Sequence, residues 1–270
     1  MQSLMNKVLK MFLYSFFKSF LILFVIIGVG TVSYTFVIKF WGIETPKIAE
    51  IEETDEVKPI TVPTIDDISK NLIFCYDDET KEIKKILLEV FWCADHRITY
   101  LTIPMRTQFT ISNSLYQKLI VTDPSIPQIM KLSSISKYFD QETIYDYGVL
   151  ITEDMLKADI SYYTAVPLSM YQSIFESSAE EDEDQELTVE VFSDAFEDYL
   201  KKIKTEEDLK HYLTKSYPSV ISNLTLNQKM DYLESYCRTS LSNVTFQLIG
   251  GRNKNSGYEI DDTAVRKQME

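Results

Sequence analysis

Positive charge and histidine are scarce in this chain. Its 270 residues include 27 basic residues against 41 acidic ones, and the formal net charge is −14. Proteins that bind nucleic acid need clustered lysine and arginine, so this balance excludes that class of partner. Neither histidine lies in a motif that pairs it with a serine or cysteine nucleophile. Arginine, which binds phosphate best, occurs only at five positions: Arg97, Arg106, Arg238, Arg252 and Arg266.

Cysteine is also sparse, and its pattern excludes a common kind of metal site. Cys75, Cys93 and Cys237 show no C-x-x-C spacing and no metal-ligand pattern with the histidines. An odd number of cysteines outside the cytoplasm argues against a disulfide framework. We expect buried free thiols, with a Cys75–Cys93 bridge as the alternative if these two residues lie on adjacent strands.

One long apolar run is present near the amino terminus. Residues 19–38 form twenty positions without a charge, enough to cross a bilayer core of about 30 Å. Lys7, Lys10 and Lys18 precede the run and an acid-rich segment follows it, so the amino terminus should be cytoplasmic. The alternative is a cleaved signal peptide, but no good small-x-small cleavage site follows the run.

The sequence therefore predicts a single-pass protein of the cell membrane. Residues 1–18 form a cytoplasmic amino terminus and residues 19–41 a transmembrane helix. Residues 42–70, with three prolines and several acids, read as a linker. Residues 71–270 form an extracytoplasmic domain. The first 41 residues hold four lysines and no acid, so the remainder carries a charge of −18, which favours solubility at a surface.

Strands and helices alternate along residues 71–249. Short runs rich in β-branched and aromatic residues indicate strands, and apolar residues at helical spacing indicate helices. This order predicts an α/β fold, a layered α-β-α domain with a central mixed β-sheet, preceded by one transmembrane helix. The predicted strands are Asn71–Tyr76, Ile86–Trp92, Arg97–Ile103, Ile160–Val166 and Val244–Ile249, and the predicted helices include Gln141–Lys157 and Ser169–Phe175.

The remaining segments give weaker signals. Ser177–Glu186 is a run of acidic residues, which predicts a solvated loop. Phe192–Tyr217 holds helical patterns with a helix start at Thr205, and Asn227–Arg238 is expected to be one further helix. Gly250 and Gly251 are expected to turn the chain into a polar tail.

Several of these stretches resemble the LytR–CpsA–Psr family of cell-wall proteins. The run NLIFCYDDE at residues 71–79 is similar to the family's first strand, which ends in an aspartate. YLTIPMRT at 100–107 is similar to its SIPRDT motif, and MKLSSISKYF at 130–139 to DKINHAY. The segment 151–175 keeps the spacing of the family's helix, IDYY strand and following helix. SNLTLNQKMDYL at 222–233 resembles a late helix start.

The resemblance implies an activity and its partners. Members of this mainly Gram-positive family transfer glycopolymers from a polyprenyl-pyrophosphate carrier onto peptidoglycan, as glycopolymer–peptidoglycan phosphotransferases. Such a site needs several cations for the pyrophosphate, aspartates that hold Mg²⁺ and an apolar cleft for the lipid. The resemblance therefore implies three kinds of partner: the membrane, the lipid-linked glycopolymer and other cell-wall proteins. It also implies Mg²⁺ as a cofactor if the site is functional.

This chain departs from the family where the chemistry takes place. Lys84 stands at the family's second aspartate, and Met105 and Arg106 stand at the arginine and aspartate of SIPRDT. The later RxR and RQQ motifs have no counterpart. Because losing one charge-assisted contact commonly costs about 10²–10³ in rate, losing several should abolish transfer. The sequence thus predicts a degenerate member, a pseudoenzyme whose site is weakened or non-catalytic.

Three candidate site residues remain. Asp78 matches the aspartate of the first strand and is expected to be catalytic and to bind the metal, or else to serve as a turn or cap carboxylate. Arg106 is expected to bind phosphate and act in catalysis, unless its one-residue shift turns it to the opposite face. Lys131 is expected to bind the ligand, with an exposed surface lysine as the alternative.

Three functions follow from the sequence. A working or weakened transferase would bring Asp78, Arg106 and Lys131 into one cleft. A non-catalytic module would keep a cleft that binds a lipid-linked ligand. A purely structural or interaction module of the cell envelope would have the cleft filled by side chains such as Met105, Tyr116 and Tyr162.

Overall fold

A computed structural model describes residues 61–180, 187–255 and 257–270. Twelve strands are found in these ranges: β1 (Ile68–Tyr76), β2 (Ile83–Trp92), β3 (Arg97–Ile103), β4 (Gln108–Thr110), β5 (Ile129–Lys131), β6 (Tyr162–Pro167), β7 (Phe175–Glu180), β8 (Leu187–Phe192), β9 (Ile221–Ser222), β10 (Val244–Leu248), β11 (Gly251–Lys254) and β12 (Gly257–Ile260). The α-helices of the same ranges are α1 (Asn113–Thr122), α2 (Ile144–Leu156), α3 (Leu168–Ile174), α4 (Asp194–Leu200), α5 (Glu206–Ser216), α6 (Leu226–Met230), α7 (Leu233–Arg238) and α8 (Asp262–Met269).

The central sheet has six strands in the order β10-β3-β2-β1-β6-β9. β1, β2 and β3 pair antiparallel, whereas β6 pairs parallel with β1 and β10 parallel with β3. The expected α/β fold with a central mixed sheet is therefore confirmed. Two of the predicted strands, Ile86–Trp92 and Arg97–Ile103, pair as a β2–β3 hairpin, with Ile86 opposite Ile103 and Trp92 opposite Arg97.

Helices and loops cover both faces of the sheet, so its central strands are apolar on both sides. Alternate residues of β1 point to opposite faces: Leu72 and Phe74 belong to the core cluster that contains α2, and Ile73 and Cys75 belong to the other. We call the second side the Tyr232 face, because Tyr232 packs there. Cys75, Cys93 and Cys237 are free thiols, and burial raises the pKa of Cys75 to about 12.

The predicted membrane helix and most of the predicted linker lie outside the described residues. Of the linker, the structure describes residues 61–70, in which Thr61 donates to the Asp146 carboxylate and Thr64 to the Ser161 carbonyl. Among the described helices, none combines the length and the apolar character needed to cross a membrane. Membrane anchoring thus stays a prediction.

The interpretation of Ser177–Glu186 as a solvated loop is wrong for its first part. Residues 175–180 form β7, which pairs antiparallel with β8, and Ser177 lies opposite Glu190. The acidic composition concealed the strand because the pairing depends on β8, whose apolar residues Leu187 and Val189 are buried. The rest of the run, residues 181–186, lies outside the described residues.

Two predictions about the carboxyl-terminal part are also wrong. Asn227–Arg238 is not one helix but two, α6 and α7, separated near Tyr232, which is buried against the sheet. The expected polar tail is instead the β11–β12 hairpin followed by α8. Val265 and Met269 of α8 are buried in the core, so this segment contributes to the domain. The helix start at Thr205 is confirmed, with a capping box to Asp208.

Candidate functional site

Arg106 follows β3 in a tight turn at the carboxyl end of that strand. Pro104 lacks the N–H that a strand would use, and the Thr107 N–H donates to the Pro104 carbonyl over 2.9 Å. The Arg106 guanidinium donates to the side-chain oxygen of Asn253 in β11. The turn and this contact position the arginine at the edge of the sheet where β1 also ends.

The backbone at Lys131 lies beside the turn that holds Arg106, and a shared site of the two side chains stays a prediction. The Leu132 N–H donates to the Thr107 carbonyl over 3.1 Å, which holds the end of β5 beside the arginine turn. Gly257 stands between the two residues: a Cβ there would collide with the Arg106 carbonyl oxygen and lie 3.8 Å from Lys131 Cε. Lys131 itself is exposed.

Asp78 lies at the same edge of the sheet but has a different contact. Its Oδ2 accepts the backbone N–H of Ser169 over 3.2 Å, in the first turn of α3. This contact supports the alternative of a cap carboxylate. Among the residues that the structure describes, no group of three or more His, Cys, Asp or Glu side chains is placed to hold a metal ion. A metal role for Asp78 stays a prediction.

A groove of about 290 Å³ opens beside the arginine turn, and we call it the cationic groove. It is lined by three cations, one carboxylate and several uncharged residues, but in the described structure not by Asp78 or Lys131. Sequence reasoning missed two of the cations, although adjacent lysines at the start of a strand were a visible signal. The charged lining residues are Lys84, Lys85, Arg106 and Glu190.

Two lysines of the cationic groove are paired with acids. Lys85 Nζ lies 2.7 Å from Glu190 Oε1, and Glu190 is only 2% exposed. The same oxygen accepts a hydrogen bond from Ser177 Oγ over 2.8 Å. Lys84 Nζ lies 2.8 Å from Glu82 Oε2, and this contact raises the pKa of Lys84. The positive charge of the groove is thus partly cancelled by protein carboxylates.

A second cavity, of about 260 Å³, lies between the Tyr232 face of the sheet and helices α4, α5 and α7. We call it the apolar cavity, since most of its lining is hydrophobic. Its volume is near the lower end of the range for small-molecule sites. Phe196 and Tyr212 also border an adjoining groove of about 410 Å³. The hydrophobic lining includes Phe192, Phe196, Leu200, Leu209, Leu213 and Val244.

One wall of the apolar cavity holds a buried polar cluster. Lys229 Nζ donates to the hydroxyls of Tyr162 and Tyr236 over 2.6 and 2.8 Å and lies 3.9 Å from Glu89 Oε1. Glu89 accepts hydrogen bonds from Tyr100 and Tyr236. Burial lowers the pKa of Lys229, with Glu89 opposing this effect, and burial followed by the Glu89 charge raises the pKa values of Tyr100 and Tyr236.

The cationic groove and the apolar cavity follow one another along the same face of the sheet. On β3, Tyr100 lines the cavity and Thr102 lines the groove. On β8, Phe192 lines the cavity and Glu190 the groove. Residues two apart on a strand share a face and are about 6.6 Å apart, so the linings of the two spaces are adjacent along both strands. The Glu190 N–H donates to Thr102 Oγ1 at this junction.

Comparisons with known proteins define the fold but not the family. No protein-family model matches the chain, and no curated protein matches it. The crystal structure of a protein from Eubacterium siraeum is similar over 78% of this chain and 93% of its own length. Their sequences are 10% identical and the TM-score is 0.51, a likeness that shows the fold alone.

Two further solved structures are similar at lower scores. Bacillus subtilis TagV is 12% identical, over 74% of this chain and 93% of that one, with a TM-score of 0.47. A structure of TagT bound to LI-WTA is 14% identical, over 79% and 92%, with a TM-score of 0.44. TagV and TagT are LytR–CpsA–Psr proteins, but these scores are too low to show a common fold by themselves. The chain therefore shares an α/β fold with a solved bacterial protein, and its membership of the LytR–CpsA–Psr family stays a prediction.

Proposed function

We propose that this chain is a membrane-anchored protein of the cell envelope that binds a polyprenyl-pyrophosphate-linked glycopolymer and transfers it weakly or not at all. The observation that carries this proposal is the succession of cationic groove and apolar cavity on one sheet face. An amphiphile with an anionic head and an apolar chain matches that arrangement. Each methylene group of the lipid that is removed from water contributes about 0.8 kcal/mol to the free energy of binding. The apolar chain of the lipid therefore supplies most of the affinity.

A purely structural module would have its cleft filled by side chains, and the positions of those side chains here support ligand binding instead. Met105 borders the cationic groove without closing it. Tyr162 is buried and bonded to Lys229, and Tyr116 packs against the opposite core cluster, so neither occupies the groove. The alternative of an envelope interaction module without ligand predicts that these spaces remain empty in the presence of a lipid phosphate.

The charge of the groove supports binding rather than transfer. Phosphoryl transfer needs cations that are free to meet the charge that builds on the phosphate oxygens. Here two of the three cations in the groove already face carboxylates. If transfer occurred, the chain would be a glycopolymer–peptidoglycan phosphotransferase. No step of the proposed binding depends on Mg²⁺.

The proposal is tested by measuring the affinity of the full chain, in detergent, for geranylgeranyl diphosphate with and without Mg²⁺. We expect saturable binding that weakens about tenfold in Arg106→Ala and in Lys85→Ala, as for the loss of one charge-assisted contact. Leu213→Trp, which fills the apolar cavity, should weaken binding without changing the charge. Lys118→Ala, on exposed α1 surface, is the matched control. Absence of binding to a folded chain would contradict the proposal.

A further inference from the structure

Carboxylates almost balance the cations at the cationic groove. The lining holds Lys84, Lys85 and Arg106 against Glu190. Glu82 contacts Lys84 from outside the lining, and Asp77 also acts on that lysine. The surplus is therefore at most one positive charge. A phosphate group that enters the groove meets far less attraction than three cations would provide.

Glu190 differs from the other carboxylates because it is buried beneath the groove. Its Oε1 receives Lys85 and Ser177, and its Oε2 is closed to solvent. The Tyr171 hydroxyl also lies beside this carboxylate, whose charge adds to burial in raising the pKa of Tyr171. A negative charge held here acts on the groove with little screening by water.

The repulsion between a buried charge and a ligand grows with the charge of the ligand. A lipid diphosphate with a free terminal phosphate carries more negative charge than the same diphosphate whose terminal phosphate is esterified to a sugar. Glu190 therefore penalises the free diphosphate more than the esterified one. The penalty acts at the groove, before any contact with the sugar.

We propose that Glu190 is a specificity-determining residue that shifts the cationic groove away from the free lipid diphosphate and towards esterified, polymer-bearing lipid diphosphates. This inference rests on the proposed function, since it concerns the head group of the same lipid. The discrimination between the two lipid head groups then comes from the charge of one buried side chain. Contacts with the polymer itself are not required.

The inference is tested with two probes that carry the same lipid chain. One is geranylgeranyl diphosphate, and the other is the same compound with a methyl ester on its terminal phosphate. Their affinities are measured for the full chain in detergent at low salt. We expect the wild type to bind the two probes with similar affinity, because the groove has almost no surplus charge. In Glu190→Gln the ratio of the two affinities should fall about tenfold, mainly because the free diphosphate binds better.

Glu176→Gln is the matched control, because it makes the same charge change on the same hairpin. Glu176 is exposed and pairs with Val191, so its side chain lies on the opposite face from Glu190. The ratio of the two probe affinities in Glu176→Gln should equal the ratio in the wild type. Thermal unfolding verifies that each variant is folded. Glu82→Gln, at an exposed residue, should lower the ratio in the same direction by a smaller factor.

The outcomes separate the two proposals. If neither probe binds the wild type, the proposed function fails and this inference fails with it. If both probes bind and the ratio is the same in wild type, Glu190→Gln and Glu82→Gln, the lipid site stands and the role of Glu190 is refuted. An equal fall of the ratio in Glu176→Gln would show a general charge effect and would also refute it.

Discussion

Glu89 and Lys229 form the one charged pair at the wall of the apolar cavity, within the described structure. Each lies among tyrosine hydroxyls, and Lys229 is 12% exposed. Removing one partner of a buried pair leaves the other charge without compensation, which costs about 3–5 kcal/mol. We expect Lys229→Met to lower the free energy of unfolding by about 3 kcal/mol, measured by denaturant titration.

A double-mutant cycle gives this prediction its control. Adding Glu89→Gln to Lys229→Met removes the remaining charge and should restore part of the lost stability. The interaction energy between the two sites should then be clearly different from zero. Additive losses in the double variant would show that the 3.9 Å pair contributes nothing.

Because of Tyr163, the free energy of unfolding is expected to fall as pH rises through the alkaline range. Burial raises the pKa of Tyr163 from 10.0 to about 12. The unfolded chain loses this proton first, so the contribution is complete below pH 10 and is lost as pH rises from 10 towards about 12. Tyr163→Phe should remove about 2 kcal/mol of that loss, measured as unfolding free energy at pH 8 and pH 11.5. An equal loss of stability between the two pH values in the wild type and in Tyr163→Phe would contradict the assignment.

At the level of elements, α8 depends on the residue that caps its amino terminus. Asp261 Oδ1 accepts the N–H groups of Thr263 and Ala264 over 2.9 and 3.1 Å. We expect Asp261→Ala to lower stability by about 1 kcal/mol in thermal or denaturant unfolding. Asp262→Ala removes the neighbouring acid without removing the cap and should have a smaller effect. Equal losses in the two variants would assign the effect to charge alone.

The β12 strand starts at a position that requires glycine. Gly257 has a φ of 153°, and a Cβ there would collide with the Arg106 carbonyl oxygen. We expect Gly257→Ala to displace the arginine turn and to cost about 2 kcal/mol of stability. The same variant should weaken binding of geranylgeranyl diphosphate. Unchanged stability and unchanged binding together would show that the turn does not depend on this contact.

Elements that carry their own pattern were predictable from the sequence, and elements that depend on distant partners were not. Both strands of the β2–β3 hairpin are rich in β-branched and aromatic residues, so the local sequence alone indicates them. By contrast, β7 is acidic at its end and is a strand because β8 pairs with it. The β11–β12 hairpin and α8 read as a polar tail because only Tyr258, Val265 and Met269 are deeply buried.

At the level of the whole molecule, the candidate site was predictable only in part. The resemblance pointed to Arg106, which lines the cationic groove, and to Asp78 and Lys131, which do not line it in the described structure. It did not point to Glu190, whose importance comes from its burial opposite Lys85. Nor did it point to Lys229, although Glu89 was visible as a lone charge within the apolar run ILLEVFW. Burial and pairing across the chain are set by the fold and leave no local signal.

The central claim is that one face of the sheet holds a lipid phosphate, with its head at the cationic groove and its chain in the apolar cavity. The most direct test uses geranylgeranyl diphosphate with a photoreactive diazirine at the far end of its chain. After irradiation with the full chain in detergent, mass spectrometry locates the label. We predict labelling of cavity residues such as Leu209 and Leu213, suppressed by Leu213→Trp and by excess unlabelled lipid. Labelling that is spread over the surface, or that excess lipid does not suppress, would contradict the claim.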